Sequence, residues 1–176
     1  MHDKDGRVVP EQLGFGEGIR LEDVFYASYR RLVVQLYGVI GDRVEAEDVV
    51  QDAFVRAAAA GHRFTGTANP EAWLRTTAIN LHRSRWRKLR NFSRIKERLV
   101  TPADIPGLED RLDVITALRS LPVEQREVVA LHHLADLSIA DIAEELDLPP
   151  GTVKSRLSRG REALARAVST EEVDHV

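Results

Sequence analysis

The stretch SIADIAEELDLPPGTVKSRLSRGREALAR, residues 138–166, decides the fold of the C-terminal part of the chain. Its first half predicts a short helix, because Ser138 and Asp141 stand at the spacing of a capping box and apolar residues follow at helical intervals. The double proline at 149–150 cannot continue a helix interior, but it suits a turn and a first helical position. A second helix is therefore predicted to begin near Gly151.

This second helix has two unlike faces. Val153, Leu157 and Leu164 fall on one side, at about 100° per residue, and predict a core face. Hydroxyl and basic side chains occupy the opposite face and its flanks: Thr152, Lys154, Ser155, Arg156, Ser158 and Arg159. Arginine can bond guanine edges through two hydrogen bonds, and serine or threonine can bond bases or phosphates. The pattern predicts a helix-turn-helix that reads DNA, and the alternative is a basic helix that only faces solvent.

Composition limits the classes of protein to consider. The 176 residues are 43% hydrophobic, which is enough for two small helical domains. The chain contains no cysteine, which excludes disulfides and thiolate metal sites and makes a reducing cytoplasm the expected compartment. No apolar run approaches the length of a bilayer span, and residues 1–20 lack the apolar segment of a signal peptide. The net charge of −3 hides a strong separation of charge along the chain.

Periodicity predicts an all-α fold of two small helical domains joined by a flexible linker. Residues 1–20 are polar and glycine-rich and predict a flexible leader. Helical spacing then predicts five helices before the helix-turn-helix, at about 21–40, 44–60, 70–89, 108–121 and 123–135. Residues 62–69 form a polar loop, and Pro102 and Pro106 favour an extended linker between the domains.

The third predicted helix changes character along its length. Residues 83–98 hold eight basic residues against one acidic residue, and such a block favours phosphate. Trp73, Trp86 and Phe64 lie close to this positive charge in sequence, as base stacking on a single strand requires. Trp86 is the better stacking candidate, because arginines flank it on both sides. For Trp73 and Phe64 the alternative is that they are core anchors of a small helical domain.

Three motifs stand in a fixed order along the chain: AEDVVQDAFVRA (46–57), NPEAWLRTTAINLHRSRWRK (69–88) and LPVEQREVVALHHLADLSIADIAEELDLPPGTVKSRLSRGREAL (121–164). Together they resemble the extracytoplasmic-function (ECF) group of bacterial sigma factors, the small two-domain members of the sigma-70 family. The first is similar to the segment that docks on RNA polymerase, the second to the promoter-melting helix and the third to the second domain of the family. The helix-turn-helix alone also occurs in many regulators, whereas the three motifs in this order are specific.

The resemblance implies a division of the chain. Residues 21–90 would form the sigma region 2 domain, which docks on core polymerase and recognises and melts the minus-10 element. Residues 91–109 would be the linker, and residues 110–168 would form the region 4 domain, whose helix-turn-helix recognises the minus-35 element. Residues 169–176 would be a short tail.

The resemblance also implies which residues make contacts. Polymerase contacts fall on Asp48, Gln51 and Asp52, with Phe54 packing beneath them. An acidic helix is complementary to a basic protein surface, although by itself it equally fits a solvated face. Minus-10 contacts fall on the loop and the third helix, at Arg63, Phe64, Asn69, Asn80, Arg83, Arg85 and Trp86. Minus-35 contacts fall on the six polar positions of the second helix of the helix-turn-helix.

The implied function is a dissociable initiation subunit that directs RNA polymerase core to selected promoters. Its partners would be the clamp helices of the largest subunit, the polymerase flap and promoter DNA, and members of this group are often held inactive by an anti-sigma factor. No cofactor, metal or membrane insertion is expected. The alternative is a stand-alone DNA-binding regulator, which would bind duplex promoter without polymerase. An enzyme is disfavoured, because His132 and His133 are adjacent and no carboxylate or histidine stands at a ligand spacing with them.

Overall fold

The computed structural model describes residues 19–90 and 109–171, with side chains over 19–88 and 112–166. The predicted leader and linker lie almost entirely outside these ranges. The described residues form helices and no strand, which confirms the all-α fold class. The helices are α1 (Leu21–Ile40), α2 (Arg43–Ala60), α3 (His62–Thr65), α4 (Pro70–Arg90), α5 (Glu109–Arg119), α6 (Val123–Leu134), α7 (Ile139–Leu146) and α8 (Pro150–Glu171).

Helix ends in the first domain follow signals in the sequence. Gly41, with a φ of +81°, ends α1 in the left-handed conformation that favours glycine. The Asp42 carboxylate then caps α2 by accepting a hydrogen bond of 3.0 Å from the Glu45 N–H. Asn69 caps α4, because its side-chain oxygen accepts a hydrogen bond of 3.0 Å from the Ala72 N–H. The Asp42 and Asn69 side chains each accept a hydrogen bond from a backbone N–H that has no acceptor within the first turn of its own helix.

The segment between α2 and α4 differs from its prediction. Its polar composition predicts a loop, whereas the structure places the short helix α3 there. The helical turn carries Phe64 into the first domain, where the ring is fully buried and meets Trp73 edge-to-face at 5.2 Å between ring centroids. Burial of one aromatic ring among polar neighbours therefore orders a segment that composition alone assigns to a loop.

The first domain packs α1, α2 and α4 around an apolar core. Its largest fully buried side chains include Leu32, Leu36, Phe64, Leu74 and Ile79. Residues 32–40 of α1 are all buried, because α2 and α4 cover part of this helix and α6 of the second domain covers another part. α1 therefore lies between the two domains.

The helix-turn-helix forms as the sequence predicts. The Ser138 hydroxyl accepts a hydrogen bond from the Asp141 N–H, and the Asp141 carboxylate accepts one from the Ser138 N–H, each at 3.1 Å. The hydrogen bond that the Ser138 hydroxyl donates, with that from its N–H, holds the pKa of Asp141 below its ordinary value. Asp147 then ends α7 with a φ of +53°, and α8 begins at Pro150. The capping box and the proline turn are both confirmed.

Gly160 lets α8 approach α6 closely. A Cβ at this position would stand 2.5 Å from Cγ2 of Val129, which is too close for two carbon atoms. Because glycine has no side chain, α6 and α8 can pack closely at Gly160.

Gly160→Ala is expected to lower the free energy of unfolding by about 1–2 kcal/mol, because the added methyl group overpacks the contact with Val129. This value is the net loss and already includes the opposing gain of about 1 kcal/mol that alanine gives in a helix interior. Gly151→Ala is the matched control, since a Cβ there has no neighbour within 4 Å, and it should be neutral or stabilising. Urea unfolding measures both effects, and equal stability of the two variants would contradict the packing role of Gly160.

The two domains pack directly on one another through α1 and α6. Apolar residues from both belong to one continuous buried cluster. Further contacts join α4 with α7 and α1 with α5. A flexible linker would allow the two domains to stand apart, but in the structure they pack against one another.

An ion pair between Arg31 and Glu71 ties α1 to α4. The Arg31 guanidinium donates to both carboxylate oxygens, from Nε at 2.9 Å, and Arg75 lies 3.7 Å from the same carboxylate. Hydrogen bonding from Arg31 holds the pKa of Glu71 below its ordinary value, against the opposing effect of burial. The pair therefore stabilises the fold while Glu71 is ionised.

Glu71→Gln should lower the free energy of unfolding by about 0.5–1 kcal/mol at neutral pH, since the pair is partly exposed. Because the folded-state pKa is depressed, the stabilisation is complete above the ordinary glutamate value of 4.5 and is lost as the pH falls through the folded-state pKa. The stability difference between the wild type and the variant should therefore shrink below that value. Thermal unfolding across the acid range measures it, and a difference that stays constant would rule out this contribution of the pair.

Candidate functional site

α8 presents a polar surface to solvent on the face opposite its packing contacts. Val153 and Leu157 are buried within the second domain. The six predicted minus-35 residues divide by exposure, with Thr152 and Arg156 half-buried and the others exposed: Lys154, Ser155, Ser158 and Arg159. Arg156 is held by an ion pair of 3.0 Å with Glu124 of α6. An exposed row of hydroxyl, ammonium and guanidinium groups can bond base edges and phosphates.

A second predicted surface lies on α2. Asp48 and Gln51 are exposed, and the Asp52 side chain is 50% exposed. Phe54 is buried and packs edge-to-face on Phe25 of α1, at 5.1 Å between ring centroids. The acidic groups therefore lie on the exposed side of α2, and the opposite side of this helix packs on α1.

Exposed apolar side chains adjoin this α2 surface, and sequence reasoning does not assign them a functional role. Tyr26 of α1 is 82% exposed, and Val55 of α2 is 66% exposed. The Phe25 ring meets the Tyr26 and Tyr29 rings at centroid distances of 5.7 and 4.8 Å. Tyr29 Oη in turn accepts a hydrogen bond of 3.2 Å from the Gln51 amide. The available signal in the sequence is the spacing of Phe25 and Tyr29, which puts both rings on one helix face.

Arg85, a predicted minus-10 contact, is bound to the acidic side of α2. Its guanidinium lies 2.6 Å from Asp52 Oδ2 and 3.3 Å from Glu45 Oε2. Asp52 is itself a predicted polymerase contact. The predicted minus-10 surface of α4 and the predicted polymerase surface of α2 therefore meet at the ion pair between Arg85 and Asp52.

Arg83, another predicted minus-10 contact, is bound across the boundary between the domains. Its Nη2 and Nε atoms lie 2.8 and 3.2 Å from the two carboxylate oxygens of Glu127 on α6. The Glu127 side chain is only 8% exposed, so Arg83 supplies the hydrogen bonds that water would give to an exposed carboxylate. Sequence reasoning misses Glu127, since no local pattern signals a pair whose members lie 44 residues apart.

The remaining predicted minus-10 residues fall into two groups. Three are exposed polar side chains: Arg63, Asn69 and Asn80. The aromatic pair differs, because Trp86 is 45% exposed on α4 whereas Phe64 is fully buried. In this conformation Phe64 is a core anchor, which is the alternative that the sequence leaves open for it. Its ring already packs on Trp73 and cannot stack on a base without leaving the core.

A cleft of about 620 Å³ opens between α7 and the first turns of α4. Asn69, Trp73 and Thr76 line one wall, and Asp141 and Glu145 line the other. Glu145 is paired with Arg75, but Asp141 and Glu144 on the same wall are exposed and repel phosphate, so the cleft is not suited to nucleic acid.

The histidines of the second domain make packing contacts. His132 Nδ1 lies 2.8 Å from the Leu137 carbonyl oxygen. Burial, with the nearby His132 and Arg161, lowers the pKa of His133. Within the part of the chain that the structure describes, no group of residues is arranged to hold a metal ion. No helix in that part has both the length and the apolar character needed to cross a bilayer.

Two family models match the chain. Sigma-70 region 2 matches residues 25–92, and sigma-70 region 4 matches residues 111–164. The first match falls on the domain of α1 to α4, and the second falls on the helix-turn-helix domain.

Relatives and solved structures agree with these matches. The chain is 34% identical to the ECF RNA polymerase sigma factor SigW of Bacillus subtilis, over 78% of this chain and 83% of SigW. It is 32% identical to the ECF RNA polymerase sigma factor SigC of Mycobacterium tuberculosis, over 85% of this chain and 83% of SigC. The sigma factor RpoE of Bartonella quintana, solved in complex with the anti-sigma factor NepR, superposes with a TM-score of 0.70 at 28% identity, over 84% of this chain and 96% of RpoE. With its order of motifs, its two helical domains and these similarities, the chain belongs to the ECF group of RNA polymerase sigma factors.

Proposed function

We propose that this chain binds RNA polymerase core through α2, opens the minus-10 element with α4 and the segment before it, and reads the minus-35 duplex with α8. Members of its family direct promoter-specific initiation by RNA polymerase and are not enzymes. The observation that carries the proposal is the exposed polar face of α8 in a capped helix-turn-helix.

The proposed minus-35 contact is direct readout in the major groove. Buried Val153 and Leu157 fix the rotation of α8, so Lys154 and Arg159 are directed away from the domain. The guanidinium of Arg159 has the geometry to bond both acceptors of a guanine. Arg156 would have to leave Glu124 before it could make a similar contact.

The proposed minus-10 contact captures unstacked bases of one strand. Trp86 offers an exposed ring, and base stacking on such a ring is worth about 1–3 kcal/mol. Asn80 on the same helix and Arg63 on α3 add exposed hydrogen-bonding groups. Extruding a base from the duplex costs roughly a few kcal/mol. Stacking and hydrogen bonds to the protein can offset this cost, so opening does not need ATP hydrolysis.

The proposed polymerase contact is acidic with an apolar border. Asp48 and Asp52 repel DNA but complement a basic protein surface, which steers association and fixes register. Tyr26 and Val55 add exposed apolar area next to them, and tyrosine is common at protein interfaces. The clamp helices of the largest polymerase subunit are the proposed partner of this surface, and the flap is the proposed partner of the second domain.

An anti-sigma factor is a proposed further partner. RpoE, which resembles this chain over most of its length, was solved with the anti-sigma factor NepR. A protein that covers the α2 or α8 surface would block the proposed contacts by competition.

Purified bacterial core polymerase should give defined transcripts from a promoter library only when this chain is added. Arg159→Ala should lower the transcript yield about tenfold, because a bidentate base contact is worth about 1–3 kcal/mol. Arg161→Ala is the matched control on the same helix, since Arg161 Nε lies 3.4 Å from His133 of α6, and this variant should stay active.

Run-off transcription with sequencing of the products measures both effects. An equal loss in the two variants would count against the assignment of the α8 face. If core polymerase does not respond and the chain alone retards duplex DNA, the chain is a stand-alone regulator instead.

Trp86→Ala should reduce promoter opening while leaving polymerase binding intact, since it removes a stacking surface worth about 1–3 kcal/mol per base. Trp86→Phe keeps a ring and should retain most of the opening. Permanganate reactivity of minus-10 thymines measures the melted state. Wild-type reactivity in Trp86→Ala would exclude the stacking role.

A further inference from the structure

The exposed face of α8 carries two side chains that share one proton. The Ser158 hydroxyl donates a hydrogen bond of 3.0 Å to Oε1 of Glu162, one turn further along the helix. Both residues are exposed, so the pair lies at the surface of the second domain. An ionised carboxylate only accepts hydrogen bonds, and a serine hydroxyl has a single proton to donate. Because that proton lies between the two side chains, the pair offers only lone pairs to an outside group.

The carboxylate holds this proton firmly. Hydrogen bonds to an ionised group are roughly twice as strong as those between neutral groups. If the Ser158 hydroxyl turned to donate to a base oxygen, it would exchange a charged acceptor for a neutral one. Ser158 therefore keeps its proton on Glu162 and meets DNA as an acceptor.

A second hydroxyl on the same face has its proton committed within the helix. Ser155 is exposed and donates a hydrogen bond of 3.0 Å to the Thr152 carbonyl oxygen. This bond joins neutral groups, so it is weaker than the bond from Ser158 to Glu162. The Ser155 oxygen is left as an acceptor too, and Ser158 is the more firmly fixed of the two.

Cationic side chains flank these acceptors on both sides. At about 100° per residue, Ser158 and Glu162 lie about 40° apart around α8, with Lys154 beyond one edge and Arg159 beyond the other. Both cations are exposed. DNA phosphates attract the cations and repel the Glu162 carboxylate. The Ser158–Glu162 pair is therefore suited to the base edges between the phosphate chains.

Base edges in the major groove differ in the group that would face Ser158. Adenine and cytosine present an exocyclic amino group, which donates, whereas guanine and thymine present a carbonyl oxygen, which accepts. An amino group can donate to Ser158 Oγ. A carbonyl oxygen at the same place meets a second acceptor and loses its hydrogen bond to water without a replacement, which is costly for a buried polar group.

We infer that Ser158 selects adenine or cytosine at one position of the DNA that α8 reads, and that Glu162 is a positioning residue that makes the Ser158 hydroxyl an acceptor. The inference rests on the proposed function for the approach of α8 to the major groove. Arg159 donates to guanine and requires a base with acceptors. Neighbouring residues of α8 therefore require opposite chemistry from the bases that they face.

The test selects active promoters from a library randomised across the minus-35 region, with core polymerase and the full chain. With the wild type, adenine and cytosine should exceed guanine and thymine about tenfold at one position of one strand, as expected when one hydrogen bond is made or lost. Ser158→Ala should abolish this preference. Glu162→Ala frees the hydroxyl to donate as well as accept, so all four bases should be used at that position while preferences elsewhere persist.

Two further variants separate the hydrogen bond from the charge. Glu162→Gln removes the charge but keeps an amide oxygen that can accept from Ser158, so it should retain the preference. Glu144→Ala is the matched control, because Glu144 is an exposed carboxylate of α7 that lines the cleft with α4. It changes the net charge as Glu162→Ala does, and it should leave the preference unchanged.

Identical base preferences in the wild type and Ser158→Ala would overturn the inference. A preference that survives in Glu162→Ala, or is lost equally in Glu162→Gln, would overturn the positioning role of Glu162. Failure of the proposed function would appear differently, as absence of defined transcripts with the wild-type chain. In that event the duplex library retained by the chain alone is sequenced, and absence of the adenine or cytosine preference there would overturn the inference as well.

Discussion

Helix α6 is packed on more than one side, and the rest of the structure depends on this constraint. Residues 128–131 are consecutive and all buried, which a helix on the surface of a single core does not show. One side supports α8, where Gly160 admits Val129, and another side meets α1 at Gly38. The helix that positions the proposed DNA-reading element is therefore also the helix that joins the two domains.

Local structure could be predicted from the sequence because its causes are local. Ser138 and Asp141 close a capping box within one helical turn, and Asn69 caps α4 with its own side chain. Proline and glycine mark some of the helix ends, as Gly41 does after α1 and Pro150 does at the start of α8, whereas Asp147 ends α7. α3 could not be predicted in this way, because the burial of Phe64 depends on a core that the polar segment around it does not reveal.

The candidate surfaces could be predicted only as separate pieces. Motifs place acidic residues on α2 and basic residues on α4, but they do not show which helices face one another. The pairs Arg85–Asp52 and Arg83–Glu127 join residues 33 and 44 positions apart in sequence. An arginine in a motif suggests an open site for an anion, and only the fold reveals that a carboxylate of the same chain already fills it.

In the proposed complex with promoter DNA, the ion pairs of α4 also determine how binding responds to salt. A cation that neutralises a DNA phosphate releases condensed counterions, and this release makes affinity fall steeply as salt rises. Arg83 and Arg85 begin bound to Glu127 and Asp52, so transferring them to phosphates returns two carboxylates to water, where they attract cations in turn. The net number of ions released is then smaller than the number of phosphates contacted. Promoter affinity should therefore weaken with salt less steeply than the arginines at the DNA surface would suggest.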